Sequence, residues 1–137
     1  MNNTRSRLAS RVLALTGLAF VAPAALSAQA DWCSEDDYRD DRFCEVREFT
    51  LRADGSLAVD ASPNGGVQVT AWDRNEVRVF AKVVARGSSL SRAEELVTEV
   101  GIATDGTIRA EGPNTRSNRD ESWWVSYRVN VPRDYDL

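Results

Sequence analysis

Apolar and polar residues alternate along several short stretches of this chain. The clearest are residues 77–85 and 123–131, and shorter ones lie at 49–51, 57–61 and 67–71. Because successive side chains of a β-strand point to opposite faces, this alternation predicts strands with one face toward a core. The residues predicted to face the core in the two long strands are Val77, Val79, Ala81, Val83, Trp123, Val125, Tyr127, Val129 and Val131.

Turn residues separate these stretches. Asp54-Gly55 follows the first short run, and Asp105-Gly106 lies between residues 102–104 and 107–111. Asp-Gly and Asn-Gly pairs are typical of tight hairpin turns, where positive φ is required. The sequence therefore predicts one hairpin within residues 49–61, another around Asp105-Gly106, and a further turn at Asn64-Gly65.

One helix interrupts the strands near residues 91–100. Ser91 is a candidate N-cap, Glu94 follows it as in a capping box, and Gly101 offers a C-terminal stop. A single apolar stripe indicates that the helix covers a sheet; its members are Ala93, Leu96, Val97 and Val100. The predicted fold is mainly β within the α+β class, with short antiparallel strands, hairpins and one covering helix.

The N-terminus has the pattern of a secretory signal peptide. Three arginines precede an apolar run from Val12 to Leu26, and Ala28 and Ala30 then form a small-x-small cleavage site. The run contains Pro23 and is shorter than the ~20 residues that a membrane-spanning helix needs. We therefore expect cleavage after residue 30, with no stable membrane span afterwards and export to the periplasm, the outer cell surface or the medium.

The net charge and the length of the mature chain limit its possible partners and its number of domains. Losing the three signal-peptide arginines changes the net charge from −4 to −7. A surface that binds phosphate backbones must be basic, so nucleic acid is not an expected partner. What remains after cleavage is long enough for one domain with a modest core.

Two cysteines lie in an acidic N-terminal segment, residues 31–48. In an oxidising compartment Cys33 and Cys44 are expected to form a disulfide that staples this segment. The segment precedes the predicted β-rich domain, residues 49–137. The chain has no histidine, and the carboxylates between the cysteines lack the spacing of a calcium loop. No metal or other cofactor is predicted.

Trp124 is the most conspicuous residue on the polar side of a strand. It shares that side with Arg128, so an exposed indole there would offer a surface for stacking a sugar or a side chain of a partner protein. Alternatively, Arg128 or the polar loop from Gly112 to Asp120 covers the indole. Trp124 and Arg128 are the candidate binding surface for a surface glycan or an envelope protein.

Four runs spread over the mature chain resemble a known family. They are Cys-Glu-Val-Arg-Glu at 44–48, Pro-Asn-Gly-Gly-Val at 63–67, Trp-Asp-Arg-Asn-Glu-Val at 72–77 and Ser-Tyr-Arg-Val-Asn-Val-Pro at 126–132. The chain is similar in them to the bacterial adhesin-like family of β-strand-repeat proteins, whose motifs are structural. Members continue into repeated short strands that stack as a β-solenoid. The resemblance implies that residues 49–137 are the N-terminal cap of such a solenoid, before its repeats.

Three functions follow as hypotheses. The first is a non-catalytic exported module of the cell envelope, adhesin-like or structural; the second is a periplasmic module that recognises a glycan or protein through Trp124 and the Gly112–Asp120 loop. The third is a carboxylate-based hydrolase, since paired acids can hydrolyse glycosides. Because histidine is absent and Lys82 lies inside a strand-like run, no nucleophile and base are recognisable together, and we predict that the protein is not an enzyme.

Overall fold

The computed structural model describes residues 32–34, 37 and 39–137. The predicted signal peptide, residues 1–30 with its cleavage site at Ala28 and Ala30, lies outside the described residues. The elements follow in the order β1 (Arg42–Arg52), β2 (Ala58–Asp60), β3 (Val67–Trp72), β4 (Glu76–Arg86), α1 (Leu90–Glu99), β5 (Gly101–Ala103), β6 (Thr107–Glu111) and β7 (Ser122–Pro132).

The strands form two sheets. The main sheet has the order β1-β4-β7-β3, and the small sheet has the order β2-β6-β5. β4 pairs antiparallel with both β1 and β7, and β5 pairs antiparallel with β6. In the residues that the structure describes, the mainly β architecture with one helix is confirmed. Two pairs depart from the antiparallel prediction, because β3 lies parallel to β7 and β2 lies parallel to β6.

One face of the main sheet, here called the core face, packs against α1 and the small sheet. All four predicted core positions of β4 are buried, as are the predicted β7 positions from Val125 to Val131. Trp123 is half-buried and packs against the same cluster. The side chains that meet them from outside the main sheet are Leu57, Leu96, Val97, Val100 and Ile108. Burial of this apolar surface is the principal force that holds the layers together.

The predicted hairpin within residues 49–61 is wrong. Gly55 does turn the chain, with a φ of 96°, but β1 pairs along its whole length with β4. β2 instead joins the small sheet, so the turn carries the chain from one sheet to the other. The hairpin around Asp105-Gly106 is confirmed: it joins β5 to β6, and Gly106 has a φ of 75°.

The N-cap of the helix lies two residues before the predicted one. Ser89 is the N-cap, and its hydroxyl accepts a hydrogen bond from the Arg92 amide at 3.3 Å, while Ser91 lies inside the helix. At the other end Val100 is the C-cap in an extended conformation, so Gly101 does not act as a left-handed stop. The predicted apolar stripe is buried. Serine is a common N-cap residue at any position of the Ser88-Ser89-Leu90-Ser91 run, and the prediction of Ser91 is wrong.

A residue of the main sheet completes the C-terminal end of α1. The Arg47 guanidinium donates hydrogen bonds to the carbonyl oxygens of Val97, at 2.7 Å, and Val100. Carbonyl oxygens at the end of a helix lack the usual amide donor four residues further on. The Val97 oxygen also accepts a hydrogen bond from the Val100 amide at 3.2 Å. A cation here also opposes the partial negative charge of the helix end. Arg47 therefore links β1 to the helix, a role that its place in the sequence did not reveal.

Tyr127 gives a prediction about the core. Its side chain is 1% exposed, and among the described residues its hydroxyl has no hydrogen-bond partner. Burial, with a smaller effect from the charge of Asp60, raises the pKa of the phenol to about 12. An unpaired buried hydroxyl lowers stability, so Tyr127→Phe should raise the free energy of unfolding by about 1 kcal/mol in urea denaturation. Tyr135→Phe, at a half-buried tyrosine, is the control and should change it by less than about 0.5 kcal/mol. A clear loss of stability in Tyr127→Phe would contradict the assignment.

Candidate binding site on the outer face of the main sheet

The outer face of the main sheet, opposite the core face, is predominantly polar near β3 and β7. Residues paired in register share a face, so Phe80, Arg128 and Gln68 form one row across β4, β7 and β3. In the next row Asn130 of β7 lies opposite Thr70 of β3. The parallel pairing of β3 with β7 places the two rows side by side, which gives a platform with one aromatic ring and several hydrogen-bonding groups.

The N-terminal segment, of which residues 32–34 and 37 are described, is tied to this outer face. The predicted disulfide is confirmed: Cys33 and Cys44 are bonded, with their Cα atoms 6.0 Å apart. Val84 is paired in register with both Cys44 and Trp124, so the disulfide reaches the same face as the platform. A covalent link thus holds Trp32, the residue before Cys33, close to β4.

Lys82 is the second anchor of the segment. Its ammonium group donates to a carboxylate oxygen of Asp37 at 2.7 Å and to the Trp32 carbonyl at 3.2 Å. Burial raises the pKa of Asp37, but the hydrogen bonds from Lys82 and Ser34 outweigh it, so the pKa lies below its ordinary value. The side chains of Lys82 and Asp37 are only slightly exposed, and charge-assisted hydrogen bonds are strong in such surroundings.

Trp32 completes a cavity over the platform. The Arg128 guanidinium lies over its ring, 4.2 Å from the ring centroid, in a cation–π contact. The cavity has a volume of about 280 Å³. Its walls combine two aromatic rings with two amides, a hydroxyl and a guanidinium; they are Trp32, Phe80, Gln68, Asn130, Thr70 and Arg128.

The two predicted binding residues are placed differently. Arg128 is exposed and lines the cavity. Trp124 lies on the same outer face but is half-buried, in register with Val84 and Cys44, and does not line the cavity. The aromatic residue that meets Arg128 is Trp32. Sequence reasoning missed Trp32 because its distance from β7 along the chain hides the contact. Its place beside Cys33 was the available signal, since the disulfide brings it to the sheet.

The arrangement suits binding. Aromatic walls with a few convergent polar groups are typical of small-molecule sites.

The acidic residues that the structure describes in the N-terminal segment include Asp37 and Asp41, which pair with Lys82 and Arg86. Across the described part of the chain, no three histidine, cysteine, aspartate or glutamate side chains form a metal-binding group. Within the same residues, no helix has both the length and the apolar character needed to cross a bilayer.

The chain matches no protein-family model, no curated protein and no solved structure. The resemblance to the adhesin-like β-strand-repeat family stays a prediction.

Proposed function

We propose that the mature chain is an exported, non-catalytic, adhesin-like module of the cell envelope that binds a small saccharide unit. The observation that carries this proposal is the cavity walled by Trp32, Phe80 and Arg128 on the outer face. The signal-peptide pattern and the Cys33–Cys44 disulfide support export, because disulfides persist in oxidising compartments. The sequence resemblance to β-strand-repeat proteins supports a place in the envelope.

The chemistry of the cavity favours a sugar. Aromatic rings pack well against the C–H groups of a pyranose ring, while amides donate and accept hydrogen bonds to neighbouring hydroxyls. Gln68 and Asn130 supply those amides. Ligand pockets range from roughly 300 to 1,000 Å³, and this cavity of about 280 Å³ lies just below that range. The ligand that enters it is therefore small, about one sugar unit of a larger glycan.

The test is an NMR titration of the folded mature protein with glucose, galactose and N-acetylglucosamine. We expect at least one sugar to shift the indole N–H signal of Trp32. Arg128→Ala should weaken that binding by about tenfold or more, because it removes both a donor and the group that orients the Trp32 ring.

Arg74→Ala is a matched control. Arg74 also lies over a tryptophan, 5.1 Å from the centroid of the Trp72 ring, but it does not line the cavity. It should leave binding unchanged. The proposal is overturned if none of the three sugars shifts the Trp32 signal, or if both arginine variants weaken binding equally.

A further inference from the structure

A second cavity, of about 500 Å³, lies away from the outer face. Its lining comes from the loop after β2, the end of β6, residues 112–116 and the start of β7. Trp123 contributes from β7, and its neighbour in the sheet register, Ala85, belongs to the core face. The two cavities share no lining residue, so a ligand in one does not touch the residues that line the other.

The loop that lines this cavity is ordered by its own hydrogen bonds. The Trp123 indole donates to the Pro113 carbonyl at 2.9 Å, and the Arg116 amide donates to the Asn114 side chain at 3.1 Å. An added Cβ at Gly112 would lie 2.8 Å from the Trp123 ring, so loop and indole are closely packed. The walls of the cavity are therefore held in place by hydrogen bonds and close packing, which fix the orientation of the Trp123 ring.

The charged side chains that line the cavity differ in whether they have a partner within the protein. Arg109 is paired with the Glu111 carboxylate at 2.7 Å. Asp60 accepts a hydrogen bond from the Ser62 amide at 2.9 Å, and the hydrogen bonds from Ser62 lower the pKa of Asp60. The guanidinium of Arg116 has neither a hydrogen bond nor an ion pair with any residue the structure describes. Arg116 therefore supplies a cation with five free donors, whereas the Asp60 carboxylate is engaged by the Ser62 amide.

We propose that this cavity binds an acidic sugar, a uronic acid unit whose carboxylate pairs with Arg116. A guanidinium binds a carboxylate through two parallel hydrogen bonds, which gives both strength and orientation. Trp123 provides an aromatic surface for the sugar ring, and the side chains of Asn64 and Asn114 are available for its hydroxyls. The mature protein would then carry two binding sites with different ligand chemistry, which raises its avidity for a mixed glycan.

The test is an NMR titration of the mature protein with D-glucuronate and, as its neutral counterpart, D-glucose. We expect glucuronate to shift the indole N–H signal of Trp123, and Arg116→Gln to weaken this binding by about tenfold or more. Arg119→Gln is the matched control, since Arg119 lies in the same polar loop and does not line the cavity. It should have no effect.

Three results would overturn the proposal. The first is that glucuronate does not shift the Trp123 signal, and the second is that glucose shifts it equally. The third is that Arg119→Gln weakens glucuronate binding as much as Arg116→Gln does, which would indicate general attraction by a basic loop. Arg128→Ala, which alters only the outer-face cavity, should leave glucuronate binding unchanged. Failure at this site and failure of the proposed saccharide site are thereby distinguished.

Discussion

Replacing Gly65 with alanine is expected to destabilise the fold severely. An added Cβ would overlap the Val125 carbonyl oxygen and would lie 2.9 Å from the Ala61 carbonyl oxygen. Both neighbours are backbone, and Val125 belongs to the centre of β7, so neither can move without disturbing the main sheet. Overpacking of this kind costs about 3 kcal/mol or more, a large part of the stability of a small domain.

Gly66→Ala is the matched control for this substitution. An added Cβ there meets nothing within 4 Å, and Gly66 has no positive φ. It should change the free energy of unfolding by less than about 1 kcal/mol, measured by urea denaturation followed through circular dichroism. If the two alanine variants are equally stable, the close approach of residue 65 to β7 is not a feature of the protein.

The sequence pattern singled out Gly65, but the physical reason that a glycine is needed there differs from the predicted one. The Asn64-Gly65 pair predicted a turn that needs positive φ, yet among the described glycines positive φ belongs to Gly55 and Gly106. Gly65 is needed because the parallel strand β3 starts close against β7, where the Tyr127 amide donates to the Gly66 carbonyl at 2.8 Å. A close approach between distant segments leaves no local pattern in the sequence.

The features that depend on local periodicity were predictable. The core positions of β4 and β7 follow from alternation, and the buried stripe of α1 follows from helical spacing. Pairing is a different matter, because alternation in β1 and β2 states which face is apolar but not which strand lies beside it. The same Asp54-Gly55 turn is compatible with a hairpin or with a crossing between sheets. Long-range pairing of β1 with β4 decided the outcome.

The candidate site was only partly predictable, again because some of its residues are brought together by long-range contacts. Arg128 was recognisable because the alternation of β7 places it on the polar side of the strand, together with Trp124. The outward position of Trp124 was also readable, but its half-burial depends on which segments cross the outer face. Trp32 reaches Arg128 through a disulfide and an ion pair, Lys82 with Asp37, that connect residues far apart in sequence. Such contacts arise from the tertiary fold.

Removal of the disulfide should therefore affect binding more than folding. In the chain-entropy model, closing so short a loop stabilises the protein by about 3 kcal/mol, so Cys33→Ala with Cys44→Ala should lower the free energy of unfolding by that amount. The domain should stay folded, since typical domains have 5–15 kcal/mol, but Trp32 loses its covalent anchor. We expect saccharide binding at the outer-face cavity to weaken by about tenfold or more, measured by the same NMR titration.

The control must lose stability without disturbing the N-terminal segment. Arg47→Ala meets that requirement, because Arg47 binds the end of α1 on the core side and its loss should cost about 2 kcal/mol. At a temperature where both variants are fully folded, the Arg47 variant should bind the sugar as the native protein does. If it loses binding as the cysteine variant does, general destabilisation explains the effect. If the cysteine variant binds normally, Lys82 and Asp37 suffice to hold Trp32 over the cavity, and the disulfide serves stability alone.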